Sequence, residues 1–399
     1  MEILYHHKNT YYSKAVAISI DEIINALQLL ENDIVTICPN NIIRYVQQKK
    51  SLPPYVRIIK NLFFFRPLFE LIYNFIIYLK FKKIKRPNLI LSRYGPFEFV
   101  SVWFAKKNKI PVILYMEFTY MRHYRHTHSI INKLIFNKIA NHIERQNLKA
   151  ADAIIVISQE LKNYLIAKLE VDGKKIYVIH NGVNPYEFSV NIIKKEHSYQ
   201  NPVPKNRMIV GFVGSISLWC GLDILIKAIH DLIKSDILKN IHLLSIIQVE
   251  EQRLWRFIKK YIFDNNLVNH ISFLEELEHS KIPSLISLMD ICIIPDHCSY
   301  TSPMKLFEYM AMAKPCIVAG TPAIREIIIH GENGYIIKSG DATELKEAIV
   351  LLANNKELRD RLGNNARRTI LERGYTWENN AKKIIRIYND VIRTKSICN

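Results

Sequence analysis

The sequence predicts an α/β protein of two doubly wound parallel-sheet domains, and three observations lead there. Short apolar, β-branched runs alternate with longer amphipathic stretches, as in repeated β-α-β units. The chain has 399 residues, more than one hydrophobic core usually serves. A polar stretch, 194–206, carries Asn201-Pro202-Val203-Pro204 without periodicity, and the alternation restarts after it. The expected divisions are a first domain over 1–193, a linker over 194–206, a second domain over 207–376 and a C-terminal helix over 377–399.

In the first half the strands read as Ile3 to His7, Asp33 to Ile37, Leu89 to Leu91, Pro111 to Tyr115 and Ile154 to Ile157. Helices fall between them over Ile20 to Leu30 and Ile130 to Leu148. In the second half Met208-Ile209-Val210-Gly211 opens a strand, and Ile291-Cys292-Ile293-Ile294-Pro295 is another. After the latter, Ser302 suits a helix N-cap and Pro303 the first helical position. An amphipathic helix from Trp377 to about Arg393 closes the chain. Ligands of such sheets bind beyond the carboxyl ends of the strands, and the polar motifs described next fall at those ends.

The Ser302–Ala311 segment reads Ser-Pro-Met-Lys-Leu-Phe-Glu-Tyr-Met-Ala. A helix starting here aims free N–H groups and its positive end past the sheet, which favours a phosphate. Lys305 adds a full charge in the first turn, and Glu308 is a carboxylate one turn along. An ordinary surface helix with solvated Lys and Glu would look the same in isolation. The run Gly214-Ser215-Ile216-Ser217-Leu218-Trp219-Cys220-Gly221 reads as a loop after a strand. Its small residues would let backbone approach a phosphate, and Trp219 could stack on a base or pack inward. Asn181-Gly182 reads as a tight turn.

These segments together resemble the retaining glycosyltransferases of family 4, which have the GT-B fold of two Rossmann-like domains facing across a cleft. The resemblance rests on S-P-x-K-L-F-E-Y-M-A-x-x-K-P from Ser302 to Pro315 and on Ala151-Asp152-Ala153-Ile154 to Ser158. It also rests on Ile179 to Asn184, Gly211 to Ser215, Trp219 to Asp223, Gly331-Glu332-Asn333-Gly334 and Tyr375-Thr376-Trp377-Glu378. It implies transfer of a hexose-type sugar from a nucleoside diphosphate donor to a hydroxyl, with neither a covalent side-chain nucleophile nor an obligatory metal or other cofactor. Lys305, with the amides around Ser302, Pro303 and Met304, would neutralise the diphosphate. Glu308 would hold the ribose, Gly214, Ser215 and Trp219 would complete the donor site, and Glu117 would position the acceptor. The C-terminal helix would return to the first domain. The sequence departs from the family pattern in three places. Tyr300 stands where the first Glu of E-x7-E falls, leaving Asp296 or His297 as substitutes. Arg near Ser215 and Lys near Cys220 are missing, and Gln248-Val249-Glu250 replaces a Gly-rich turn. These departures keep a second reading open, a non-catalytic relative that binds a partner enzyme or a membrane.

The charge balance, 55 basic against 37 acidic residues and a net +18, calls for an anionic partner. The segment 117–128 carries Arg122, His123, Arg125 and His126, candidates for an anionic acceptor or the departing diphosphate, or else a solvated basic loop. Its histidines have no acidic or thiol companions at zinc-like spacing, so no metal is expected. Leu62, Phe65, Phe69, Ile72, Ile76 and Leu79 form a helical stripe followed by Lys80, Lys82, Lys83, Lys85 and Arg86. It is too short and too charged to span a bilayer. It suits an anionic membrane surface, and a core helix with a solvated basic end explains it equally well. No zinc knuckle, RNP motif or recognition-helix pattern points to nucleic acid. The cysteines, Cys38, Cys220, Cys292, Cys298, Cys316 and Cys398, are scattered, so free thiols in a reducing compartment are expected. No basic region precedes an apolar stretch at the start, so no signal peptide is expected. Together these place the protein in the cytoplasm, peripheral to the inner face of the cell membrane.

Overall fold

A computed structural model describes residues 1–7, 14–37, 66–95, 97–119, 130–191, 203–217 and 219–397. The contacts divide the chain into one unit of Met1–His180 with Trp377–Asn399, and a second of Asn181–Thr376.

The first unit contains β1 (Glu2–His6), α1 (Lys14–Leu29), β2 (Asp33–Ile37), α2 (Arg66–Phe81), β3 (Leu89–Arg93), α3 (Val100–Lys107), β4 (Val112–Met116), α4 (Ile130–Ala150), β5 (Ala153–Val156), α5 (Gln159–Leu169) and β6 (Ile176–Val178). Its sheet has the order β2-β1-β3-β4-β5-β6, all parallel. Helices cover both faces, which is why β3, β4 and β5 are buried at every residue and read as unbroken apolar runs.

The second unit contains β7 (Met208–Ile216), α6 (Leu222–Lys234), β8 (Ile241–Val249), α7 (Gln252–Asp264), β9 (Ile271–Glu275), α8 (Ile282–Ser287), β10 (Ile291–Ile294), α9 (Met304–Ala311), β11 (Cys316–Ala319), α10 (Pro322–Arg325), β12 (Tyr335–Ile337), α11 (Ala342–Asn354) and α12 (Lys356–Glu372). Its strands, again all parallel, run β12-β11-β10-β7-β8-β9. Successive strand residues feed opposite layers. Val210, Phe212 and Leu243 enter one core, and Ile209, Leu244 and Ile246 enter the other. Each such aliphatic side chain contributes about 1.5–3 kcal/mol on full burial.

The last helix, α13 (Trp377–Ile397), belongs with the first unit. It packs on α1, Lys395 Nζ lies 2.9 Å from Asp152 Oδ2, and Asn380 donates to the His180 carbonyl at 2.9 Å.

Three details differ from the sequence reading. The division between units falls at His180/Asn181, ahead of the expected linker, because Val183 and Phe188 are buried in the second unit's core and Val183 N–H donates to the Tyr375 carbonyl. Gly214 and Ser215 are strand residues: β7 continues to Ile216, paired with β8 as far as Val249, so the loop is Ser217–Gly221. Ser302 does not cap α9. Pro303 holds the cap position at φ −69°, ψ 126°, and this extended ψ delays the first helical residue to Met304. The linker segment 194–202 lies outside the described residues. Cys220, Cys292, Cys298 and Cys316 are free thiols. Among the described residues no helix is long and apolar enough to cross a membrane.

Gly363, inside α12, marks a close approach of backbone to backbone. A Cβ there would lie 2.1 Å from the Ala313 carbonyl oxygen. Alanine is intrinsically better in a helix by about 1 kcal/mol. Gly363→Ala is nevertheless expected to destabilise by roughly 1–3 kcal/mol through backbone overlap. Denaturant unfolding measures this, and a stabilised variant would contradict the packing.

Candidate functional site

The strand order of the second unit reverses between β7 and β10, and a crevice at the carboxyl ends of such strands is the usual ligand position in a doubly wound sheet. The two strand ends bring Gly214 and the 295–305 segment together. Lys305 Nζ reaches over β7, 4.5 Å from the Phe212 ring centroid. It approaches so closely that a Cβ on Gly214 would stand 2.4 Å from it. The ammonium is enclosed and has no hydrogen-bond partner among the described residues. Burial lowers its pKa, against the opposing influence of Cys220, Glu308 and Glu250. A desolvated cation with unused donors is stabilised by an anion that can accept from it.

Ser302 is buried and its hydroxyl caps nothing, while its carbonyl accepts from Asn181 Nδ2 at 2.6 Å. Pro303 and Met304 are buried beside it at the head of α9. Glu308, one turn on, is buried, and His279 Nε2 lies 2.8 Å from its Oε1. Sequence reasoning missed His279; its only signal was a polar cluster, Glu275-Glu276-Leu277-Glu278-His279, just past a strand. Ser215 is half-buried on the β7 edge. Trp219 is 46% exposed in the Ser217–Gly221 turn. Gly221 closes that turn at φ +66°, where a Cβ would also meet Asp296 at 2.8 Å, so glycine is required twice over.

The departures from the family pattern acquire positions. Tyr300 is buried. Asp296 accepts from Ser339 Oγ and from the His297 N–H. His297 Nε2 lies 2.7 Å from Thr301 Oγ1, and its Nδ1 is buried without a partner among the described residues. Burial, then Lys305, push the His297 pKa down to about 3. Glu250 reaches solvent from the end of β8, yet partial desolvation raises its carboxyl pKa, partly offset by a Ser215 hydrogen bond and by Lys305. A carboxylate therefore faces the region where the resemblance called for a cation.

In the first unit Glu117 is held by Arg93, whose guanidinium pairs with its carboxylate. The same guanidinium donates to Ser19 Oγ at 2.6 Å and lies 4.9 Å from the Tyr115 ring centroid. Arg93 also escaped the sequence reading, although a charge ending the apolar run Leu89–Ser92 was a visible signal. Arg122, His123, Arg125 and His126 lie outside the described residues. Lys80 lies in the last turn of α2, and Lys82, Lys83, Lys85 and Arg86 are exposed in the segment that follows it. Among the described residues no group of three or more His, Cys, Asp or Glu could hold a metal ion.

Two family profiles match, "Glycosyltransferase Family 4" over residues 16–187 and "Glycosyl transferases group 1" over 193–369. The uncharacterized glycosyltransferase MJ1178 of Methanocaldococcus jannaschii is 30% identical over 60% of this chain and 60% of its own length. The capsular polysaccharide biosynthesis glycosyltransferase CapM of Staphylococcus aureus is 25% identical over 57% and 59%. The chain thus spans about three fifths of the length of these relatives. Sucrose-phosphate synthase from Thermosynechococcus elongatus superposes with a TM-score of 0.76 at 17% identity, over 98% of this chain and 99% of that one. Anabaena Alr3699/HepE, solved with UDP and glucose, gives 0.70 at 17% over 99% of both chains. At these identities the likeness establishes the fold, which is GT-B.

The buried imidazoles make a pH prediction. His297 and His242, the latter lowered to about 4 by burial and then Arg207, stay neutral when folded but titrate near 6.5 when unfolded. The unfolded chain then binds more protons between these values. Stability is fully present above about pH 6.5 and falls as pH drops, each group costing about 2 kcal/mol by pH ~5. Denaturant midpoints against pH should show this limb, and His297→Gln, which cannot titrate, should reduce it by about half, leaving the His242 contribution.

Proposed function

This chain belongs to the family 4, group 1 glycosyltransferases, and from that premise we propose that it transfers a hexose-type sugar from a nucleoside diphosphate donor to a hydroxyl, with retention. The observation that carries the reading is the Lys305 ammonium, enclosed at the β7–β10 switch without a hydrogen-bond partner among the described residues. A diphosphate supplies the anion it lacks. As the bond to the sugar breaks, charge grows on the leaving phosphate, and a fixed, desolvated cation stabilises that state more than the ground state. The head of α9 adds its dipole. Glu308, oriented by His279, accepts from the ribose hydroxyls, and Trp219 offers an exposed face to the base. Glu117, paired with Arg93, positions the acceptor hydroxyl. No metal or other cofactor is part of this proposal, because charge neutralisation is assigned to Lys305 and the helix.

The acceptor we propose is lipid-linked or a growing surface polysaccharide, used at the cytoplasmic face of a membrane; no nucleic acid is proposed as a partner. The capsular and mannosyl-lipid relatives support this, one being a phosphatidyl-myo-inositol mannosyltransferase, as does the net charge of +18. One observation favours the non-catalytic reading, namely Glu250 beside Ser215 and Lys305, where a carboxylate would repel a diphosphate.

Calorimetric titration with UDP and GDP, with chelator present, separates the two. One nucleotide is expected to bind. Glu308→Ala should weaken it about tenfold or more, the value of one hydrogen bond to a charged group. Gly214→Ala should weaken it similarly by driving a methyl into the Lys305 ammonium. Binding of neither nucleotide would overturn the donor site. Binding without release of nucleoside diphosphate from any nucleotide sugar, across the acceptors tested, would favour the non-catalytic relative.

A further inference from the structure

Among the described residues, helix α2 carries two apolar faces, of which one is buried and the other exposed. Ile77 and Phe81 are buried, and Asn74 is buried with its amide donating to the Phe97 carbonyl. On the other side Leu71, Ile72, Phe75, Ile76 and Leu79 are between 43% and 59% exposed. Their spacing of one, three and four residues makes a single stripe along the helix. Trp103 of α3 extends it: this side chain is 46% exposed and meets Tyr78 of α2 edge-on at 5.4 Å. An apolar face this large on a helix end is unusual in a soluble surface and marks an interaction site.

The charges along the stretch that follows this face are mostly basic. From Leu71 to Lys109 the only acidic residue is Glu98, which is buried and accepts from Ser101 Oγ at 2.6 Å. The same stretch holds Lys80, Lys82, Lys83, Lys85, Arg86, Lys106, Lys107 and Lys109. Of these, Lys106 is partnered by Asp152. Lys82 and Lys107 lie along aromatic rings, 4.9 Å from Tyr78 and 5.1 Å from Trp103, so apolar stems lie on the platform and ammonium groups stand at its rim. A cavity of about 360 Å³ opens between the ends of α2 and α3. Phe81 and Phe104 line its apolar part, while Lys82, Arg86 and Lys107 bring charge to it.

We propose that this face docks on an anionic phospholipid bilayer. Leu71, Phe75, Ile76, Leu79 and Trp103 enter the acyl boundary, and lipid phosphates lie among Lys82, Arg86 and Lys107 at the mouth of the cavity. A bilayer fits better than a protein partner. Protein interfaces are depleted in lysine relative to the rest of a protein surface. An interfacial helix instead combines an apolar face, aromatic side chains and rimming lysines. The inference deepens the proposed membrane-side acceptor and rests on that reading for its purpose, but the docking surface lies wholly in the first unit.

The test is co-sedimentation of the full chain with vesicles of phosphatidylcholine alone or mixed with phosphatidylglycerol. Binding is expected to the mixed vesicles only, and to fall with added salt. The triple change Lys82→Ala, Arg86→Ala, Lys107→Ala should lower affinity on the order of a hundredfold. Phe75→Ser with Ile76→Ser, both at exposed positions, should abolish sedimentation while leaving thermal melting and nucleotide titration unchanged. No binding to mixed vesicles, equal binding to neutral ones, or binding indifferent to the Phe75 and Ile76 changes would overturn the proposal. So would dimerisation in place of vesicle binding, abolished by those same changes, which would give the face to a second copy. Vesicle binding without nucleotide binding would sink the proposed transfer while leaving the docking surface intact.

Discussion

The constraint on which the rest depends is parallel pairing. A parallel strand cannot return to its neighbour by a tight turn, so each connection crosses a face of the sheet through a helix. Within each sheet, taken by itself, the strands then end on the same edge, and the loops after them open there. In the second unit the crossovers change direction between β7 and β10. The head of α9 and the Ser217–Gly221 turn lie at that edge. The candidate site is a consequence of connectivity before any side chain is considered.

Within that edge, one close approach sets the chemistry. Lys305 can lie across β7 only because position 214 has no side chain and Phe212 offers a ring face. Desolvating an ammonium is costly, and the surrounding groups only partly offset it. Glu308 is turned toward His279, Glu250 follows β8 beside Ser215 but is exposed to solvent, and His297 is neutral. The site is therefore held with positive charge poorly matched by its own acids, which is the state a diphosphate completes. The first unit uses the opposite arrangement. Arg93 and Glu117 satisfy each other, and Ser19 and Tyr115 close the pair, so that charge is already balanced.

Much of this was legible in the chain. The apolar runs gave β1 to β5 and β10 to within a residue or two, since sheets covered on both faces demand unbroken hydrophobicity, whereas β7 runs five residues past its apolar start because its far half carries glycine and serine. Lys305 and Glu308 were legible because a helix N-terminus, a basic residue and a carboxylate one turn on are all local in sequence. Ser302 was legible as important but not in its role, because whether it caps depends on the ψ of Pro303. His279, Arg93 and Ser19 were not singled out, although each touches a residue that was. Their contacts span 29, 24 and 98 positions, and no periodicity links them.

The sequence by itself determined the α/β class, the division into two domains and the motif that heads α9. These rest on hydrophobic period, turn chemistry and composition, which act over a few residues. The tertiary structure alone decided that Gly214 belongs to a strand and makes room for Lys305, that His279 orients Glu308, and that one face of α2 stays uncovered. Each follows from strand order and helix packing, which bring together atoms far apart in the chain. An apolar stripe in a sequence says only that something must cover it; which stripe the protein itself covers is settled when the helices are in place.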